Sequence, residues 1–213
     1  PPGLRHSLGD SVDYDPPTNT YTENFNGSHS PILAWAADGF PIYGPYGYDD
    51  PNNPGSAVRR MIPGYAKRSI TNRTTLPQWA ADFQNKSASL PANEYGPPVS
   101  ATYVIGHYIE DYEFLGTGDL DLYNGRTCIT PEFPAGTYAY FVTIEADGTP
   151  AFPYAIGREY YGDPTGGTVN NINEAVTIQF EGGPEKSLTF DQSAPDSNDL
   201  TLTWSAVEGG QYL

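Results

Sequence analysis

The stretch His29-Ser-Pro-Ile-Leu-Ala-Trp-Ala-Ala-Asp-Gly-Phe-Pro-Ile-Tyr-Gly-Pro-Tyr-Gly-Tyr48 constrains the fold more than any other part of the chain. An apolar run meets an Asp38-Gly39 turn signal, and beyond it aromatic residues are punctuated by Gly and Pro. Pro41 and Pro45 break any helix, while the run is too apolar for a solvated linker. It reads as strand, turn, strand, packed into a core and ending in tightly turned loops.

The rest of the chain agrees with that texture. Gly (23) and Pro (21) are abundant, and 17 Tyr and 9 Phe supply ample apolar area to bury. The expected fold is mainly β with irregular loops and at most one or two short helices. A net charge of −16 repels phosphate backbones and anionic headgroups, which argues against nucleic-acid and membrane partners. The same charge attracts cations, Ca²⁺ included, and is also an ordinary solubility device. Cys128 is the single cysteine, so no internal disulfide forms and a buried, inert thiol is expected. No run approaches the ~20 apolar residues of a membrane span. The start at Pro1-Pro2 reads as a processed or truncated end, so the lack of a signal peptide carries no weight.

Periodicity predicts a helix opening at Pro77 with Trp79, Ala80 and Phe83 on its packed side. It predicts a strand from Thr102 to Phe114 with Tyr103, Ile105, His107 and Ile109 on one face. A second strand, Thr137 to Ile144, sets Tyr138 and Tyr140 on one face against Ala139 and Phe141 on the other. Asp163-Pro-Thr-Gly-Gly-Thr168 reads as a linker between a domain at 1–163 and a second one at 164–213. In the latter, Val176/Ile178/Phe180, Leu188/Phe190 and Leu200/Leu202/Trp204 alternate as in a fibronectin- or immunoglobulin-like β-sandwich. That module is incomplete, and the natural chain is expected to continue beyond Leu213.

The main stretch (29–48), together with Val58-Arg-Arg-Met61, Glu110-Asp-Tyr-Glu-Phe114, Gly118-Asp-Leu-Asp-Leu-Tyr-Asn-Gly-Arg126, Thr130-Pro-Glu-Phe-Pro-Ala-Gly-Thr-Tyr-Ala-Tyr-Phe-Val-Thr143 and Phe152-Pro-Tyr-Ala-Ile-Gly157, resembles the YHYH domain. That family comprises secreted or cell-surface proteins, mostly bacterial, named for a Tyr-His-Tyr-His motif and often joined to β-sandwich modules. The resemblance runs from residue 1 to about 162 and implies a secreted, periplasmic or surface location without implying an activity. Two departures matter. One Tyr-His-Tyr-His motif would fall immediately upstream of Pro1, and where a second can occur this chain has Tyr138-Ala139-Tyr140-Phe141. Histidines at alternate strand positions could converge on one ion, but Ala139 and Phe141 make that face apolar. The cysteine that many relatives carry before Asn-Gly is replaced by Tyr123.

Two sets of residues are candidate metal ligands. His29 and Asp38 could each supply one ligand to Zn²⁺ or Cu²⁺, or form a His–carboxylate hydrogen bond. Alternatively, His29 caps a loop and Asp38 closes an Asx-turn before Gly39. Asp119, Asp121 and Asn124 place three oxygen donors in one Gly-turned loop, as a Ca²⁺ loop begins. The alternative there is side chains bonding their own backbone amides. His107 reads as a packed core residue. The tyrosines from Tyr43 to Tyr48 could stack on sugar rings if exposed, and otherwise belong to the core. No nucleophile elbow, zincin motif or phosphate loop is present.

Residues and resemblance together predict an extracellular or cell-surface binding or structural domain; the metal, if one is held, would be Ca²⁺ before Cu²⁺ or Zn²⁺. Its partners would be extracellular proteins, glycans or further domains of the same polypeptide. The alternatives are a metal-dependent enzyme whose histidines lie upstream, and a purely structural module.

Overall fold

The computed structural model describes residues 2–164, 186–191 and 199–204. The chain divides into two compact units, Pro1–Thr165 and Gly166–Leu213. The first opens with helix α1 (Pro2–Ser7) and the hairpin β1 (Val12–Asp15) and β2 (Thr20–Glu23). The main stretch then forms β3 (Ile32–Trp35), β4 (Pro41–Tyr43) and β5 (Tyr46–Tyr48). β6 (Val58–Arg60), β7 (Tyr65–Lys67), α2 (Gln78–Gln84), β8 (Tyr112–Phe114), β9 (Gly125–Cys128) and β10 (Thr137–Phe141) follow.

β3, β4, β10 and β9 lie side by side in one sheet, with β4 and β10 parallel and the other pairs antiparallel. The ladders β1–β2, β5–β6 and β7–β8 complete the unit. The fold is thus mainly β with short helices, as expected. The Asp38-Gly39 turn joins β3 to β4: Gly39 sits at φ +84°, a left-handed conformation that costs glycine little. β10 is buried on both faces, which explains its nearly continuous apolar sequence. Ala139 and Phe141 pack with Tyr43, Met61 and Cys128, while Tyr138 and Tyr140 pack with Ala36, Phe40 and Ile42. Cys128 is a free, buried thiol, and burial raises its pKa.

A buried ion cluster ties the N-terminal elements to Ser30 and to Tyr46 of β5. Arg5 donates to Asp10 at 2.5 Å and to both oxygens of Glu23 at 2.7 and 2.6 Å. Asp10 also accepts from Ser30, and Glu23 from Tyr46. These partners satisfy an arginine that would otherwise be very costly to bury.

Three local expectations are corrected. The strand read over 102–114 exists only at Tyr112–Phe114; a 3₁₀ turn occupies Ile109–Asp111. Upstream, the chain bends around Arg73, whose guanidinium donates to the carbonyls of Pro97, Tyr103 and Val104 and to both oxygens of Asp111. Gly106, at φ +96°, allows the bend and donates its amide to Asp111. His107 is accordingly exposed rather than packed in the core, with its ring against Tyr103 and Tyr108. The helix after Pro77 is present, but Ala80 and Ala81 form its buried side while Phe83 is 51% exposed. α1 was not foreseen, because a six-residue helix is too short to show a period.

In the second unit, β11 (Lys186–Asp191) and β12 (Asp199–Trp204) pair antiparallel, with Leu188 opposite Leu202 and Phe190 opposite Leu200. The strand expected through Val176, Ile178 and Phe180 lies outside the described residues.

Candidate functional site

The expected Ca²⁺ loop is a hydrogen-bonded clasp whose carboxylates face protein donors. Asp119 accepts two parallel bonds from Arg59 of β6, at 2.7 and 2.6 Å, and a third from the Ile62 amide at 2.8 Å. Burial alone would raise its pKa, but Arg59 and that amide outweigh burial and hold it below the usual carboxylate range. Asp121 accepts from the amides of Tyr123 (2.9 Å) and Gly125 (3.1 Å) and from the Tyr138 hydroxyl of β10 (2.9 Å). Asn124 is fully buried at φ +66°, with its side-chain amide donating to the carbonyls of Phe141 and Ala155. A cation here would have to displace Arg59 and Tyr138.

The wild-type melting temperature is therefore expected not to respond to millimolar Ca²⁺. Asp121→Ala should lose about 1.5–3 kcal/mol, because it strands a buried hydroxyl and two amides. Thermal melts with CaCl₂ and with chelator check this. A Ca²⁺-dependent rise in wild type that Asp121→Ala abolishes would return the loop to the cation.

His29 and Asp38 are not brought together. The His29 ring contacts Tyr43, Tyr48 and Phe141, on one face of the sheet. Asp38 accepts from the Tyr140 hydroxyl and the Gly162 amide, on the other face. Its second oxygen lies 3.5 Å from the Phe40 amide, the geometry of a loose Asx-turn. His29 Nδ1 is 2.8 Å from the Ser30 carbonyl, so a proton there is donated and Nε2 is left as an acceptor. Nε2 is buried without a hydrogen-bond partner, and burial lowers the ring's pKa, favouring the neutral form. His6, His29 and His107 each sit among different tyrosines. Among the described residues no three His, Cys, Asp or Glu side chains are grouped to hold a metal ion.

What the 119–126 loop does build is one wall of a groove. The Tyr65 hydroxyl donates to the Leu122 carbonyl at 2.9 Å, fixing Leu122 and Tyr123 beside β7. α2 supplies the opposing wall, anchored by the Trp79 indole N–H donating to the Tyr112 carbonyl at 2.9 Å. Between them lies a space of about 460 Å³, lined by the rings of Tyr65, Trp79, Phe83, Phe114 and Tyr123. Its polar lining is Gln78, Asp82, Arg158 and Glu159. Gln78 donates to Asp82 at 2.7 Å, and the Arg158 guanidinium lies 4.8 Å above the Phe83 ring.

The family model described as YHYH protein matches residues 10–153, more than half of the chain. The chain belongs to the YHYH family. No curated protein and no solved structure matches it. In this YHYH domain the segment Tyr138–Phe141 is the interior of β10, and the side chains of Ala139 and Phe141 have no exposed surface. Residues at those positions are core, so the apolar pair there contributes packing. Tyr43 and Tyr46 are likewise buried, the core alternative for the Tyr43–Tyr48 run.

Sequence reasoning assigned none of the groove-lining residues to a site. The usable signal was at α2, where an exposed aromatic accompanies Gln78 and Asp82 at i, i+4 spacing. Nothing local marks Arg158 and Glu159.

Proposed function

We propose that this YHYH domain is a binding domain of a secreted or cell-surface protein, and that its ligand site is the groove between α2 and the 119–126 loop. One observation carries this reading: five aromatic rings and four polar or charged side chains meet in a surface groove of about 460 Å³, a size typical of small-ligand sites. A metal-dependent enzyme would gain from gathered imidazoles, whereas His6, His29 and His107 occupy separate surroundings. A purely structural module has no need of a half-open aromatic groove.

Differential scanning fluorimetry against neutral oligosaccharides, acidic oligosaccharides, short peptides and quaternary amines tests this on wild type and on Trp79→Ala and Tyr123→Ala. At least one probe class is expected to raise the wild-type melting temperature and to leave both variants unmoved. Equal shifts in wild type and variants, or no shift with any class, would overturn it.

A further inference from the structure

The charges around the groove narrow its ligand, if the groove is the binding site. Asp82 and Glu159 present two carboxylates, and the whole chain carries −16, so a phosphate, sulfate or carboxylate would approach against the local and the global field. A cation would be drawn by the same field and by the aromatic faces. However, the Phe83 face already carries the Arg158 guanidinium at 4.8 Å, and that fixed positive charge opposes a second one in the same groove. The field opposes anions, and the Arg158 guanidinium occupies the Phe83 face and offsets part of the pull on a cation; a neutral ligand meets neither penalty.

The shape of the lining says which kind of neutral ligand. A purely apolar molecule would take water from the Gln78–Asp82 pair and from Glu159 and offer them no hydrogen bond in return. A pyranose ring has one flat face of weakly positive C–H groups, suited to the electron-rich faces of Trp79 and Tyr123, and a rim of hydroxyls that both donate and accept. Asp82 and Glu159 accept from such hydroxyls, the Arg158 guanidinium donates, and Gln78 does both. The volume, about 460 Å³, accommodates a short saccharide segment. We infer that the groove binds a neutral carbohydrate, with Trp79 and Tyr123 as stacking platforms and Asp82, Arg158 and Glu159 as its hydroxyl partners.

Isothermal titration of the whole chain tests this with neutral hexasaccharides of glucose and of N-acetylglucosamine, with oligogalacturonate, and with tetramethylammonium. Saturable binding of at least one neutral series is expected, with none of oligogalacturonate or tetramethylammonium. Tyr123→Ala should weaken it about tenfold. Glu159→Gln and Arg158→Ala change exposed side chains, so they keep the fold intact and should weaken it without moving the melting temperature. Tighter binding of oligogalacturonate or tetramethylammonium that is lost in Tyr123→Ala would overturn the carbohydrate assignment and leave the groove as the site. Neutral-sugar binding indifferent to all three variants, or no binding of any probe, would overturn the site as well.

Discussion

Arg73→Ala is expected to destabilise the first unit by about 3–5 kcal/mol, the cost of leaving one partner of a buried ion pair uncompensated. Asp111 has no exposed surface and accepts two bonds from Arg73, at 2.6 and 2.7 Å, plus the amides of Gly106 and Tyr108. Burial raises the pKa of that carboxyl, but Arg73 and the two amides outweigh burial and hold it below the ordinary value. A depressed carboxylate contributes stability that is complete above the unfolded value of about 3.9 and is lost as pH falls through the folded value. Wild type should therefore keep this contribution at neutral pH and lose it only in strong acid. In Arg73→Ala it should already be missing at pH 7, and Asp111→Asn in that background should recover part of it by removing the unpaired charge. Urea denaturation at pH 7 and pH 3 reads both effects. A loss below about 1 kcal/mol would mean that water reaches Asp111 and the pair is not an anchor.

Phe141→Ala should cost a similar amount, about 3–5 kcal/mol, by opening a cavity in a close-packed interior. The ring stacks on Tyr43 at 5.7 Å, lies 6.0 Å from the His29 ring and has the Arg126 guanidinium 5.5 Å above it. A second readout is independent of global stability. Burial is the largest influence lowering the His29 pKa, so water entering beside the missing ring should move it up toward about 6.5. Proton NMR titration of the imidazole measures this in the folded variant. An unchanged titration alongside a stability loss under 1.5 kcal/mol would show that the neighbours collapse onto the space.

The readable parts of this chain were those whose partners are near in sequence or whose pattern repeats. The β3–turn–β4 segment was legible because Asp38-Gly39 is a local turn and its flanks are short apolar runs. β10 was legible because a period of two is local, so the split between Tyr138/Tyr140 and Ala139/Phe141 needed no knowledge of neighbours. The 102–111 segment misled for the opposite reason. Its alternating apolar residues imitate a strand, while the residue that bends it, Arg73, meets Asp111 from 38 positions away. Asp119, Asp121 and Asn124 share one loop, but their order in sequence could not say that they would turn to separate partners, Arg59, Tyr138 and the Phe141 carbonyl.

By itself, then, the amino-acid sequence determined the mainly β character, the two-faced interior strand, the central turn and membership of the YHYH family. Each of these depends on side-chain order over a few residues, or on motifs preserved in order along the chain. Only the tertiary structure decided that His29 and Asp38 lie on opposite faces, that Arg59 and Tyr138 take the loop carboxylates, and that α2 faces Tyr123 across a groove. Those outcomes depend on which distant groups the fold brings to a carboxylate or a ring face, and the low dielectric of the interior strengthens the pairings that result.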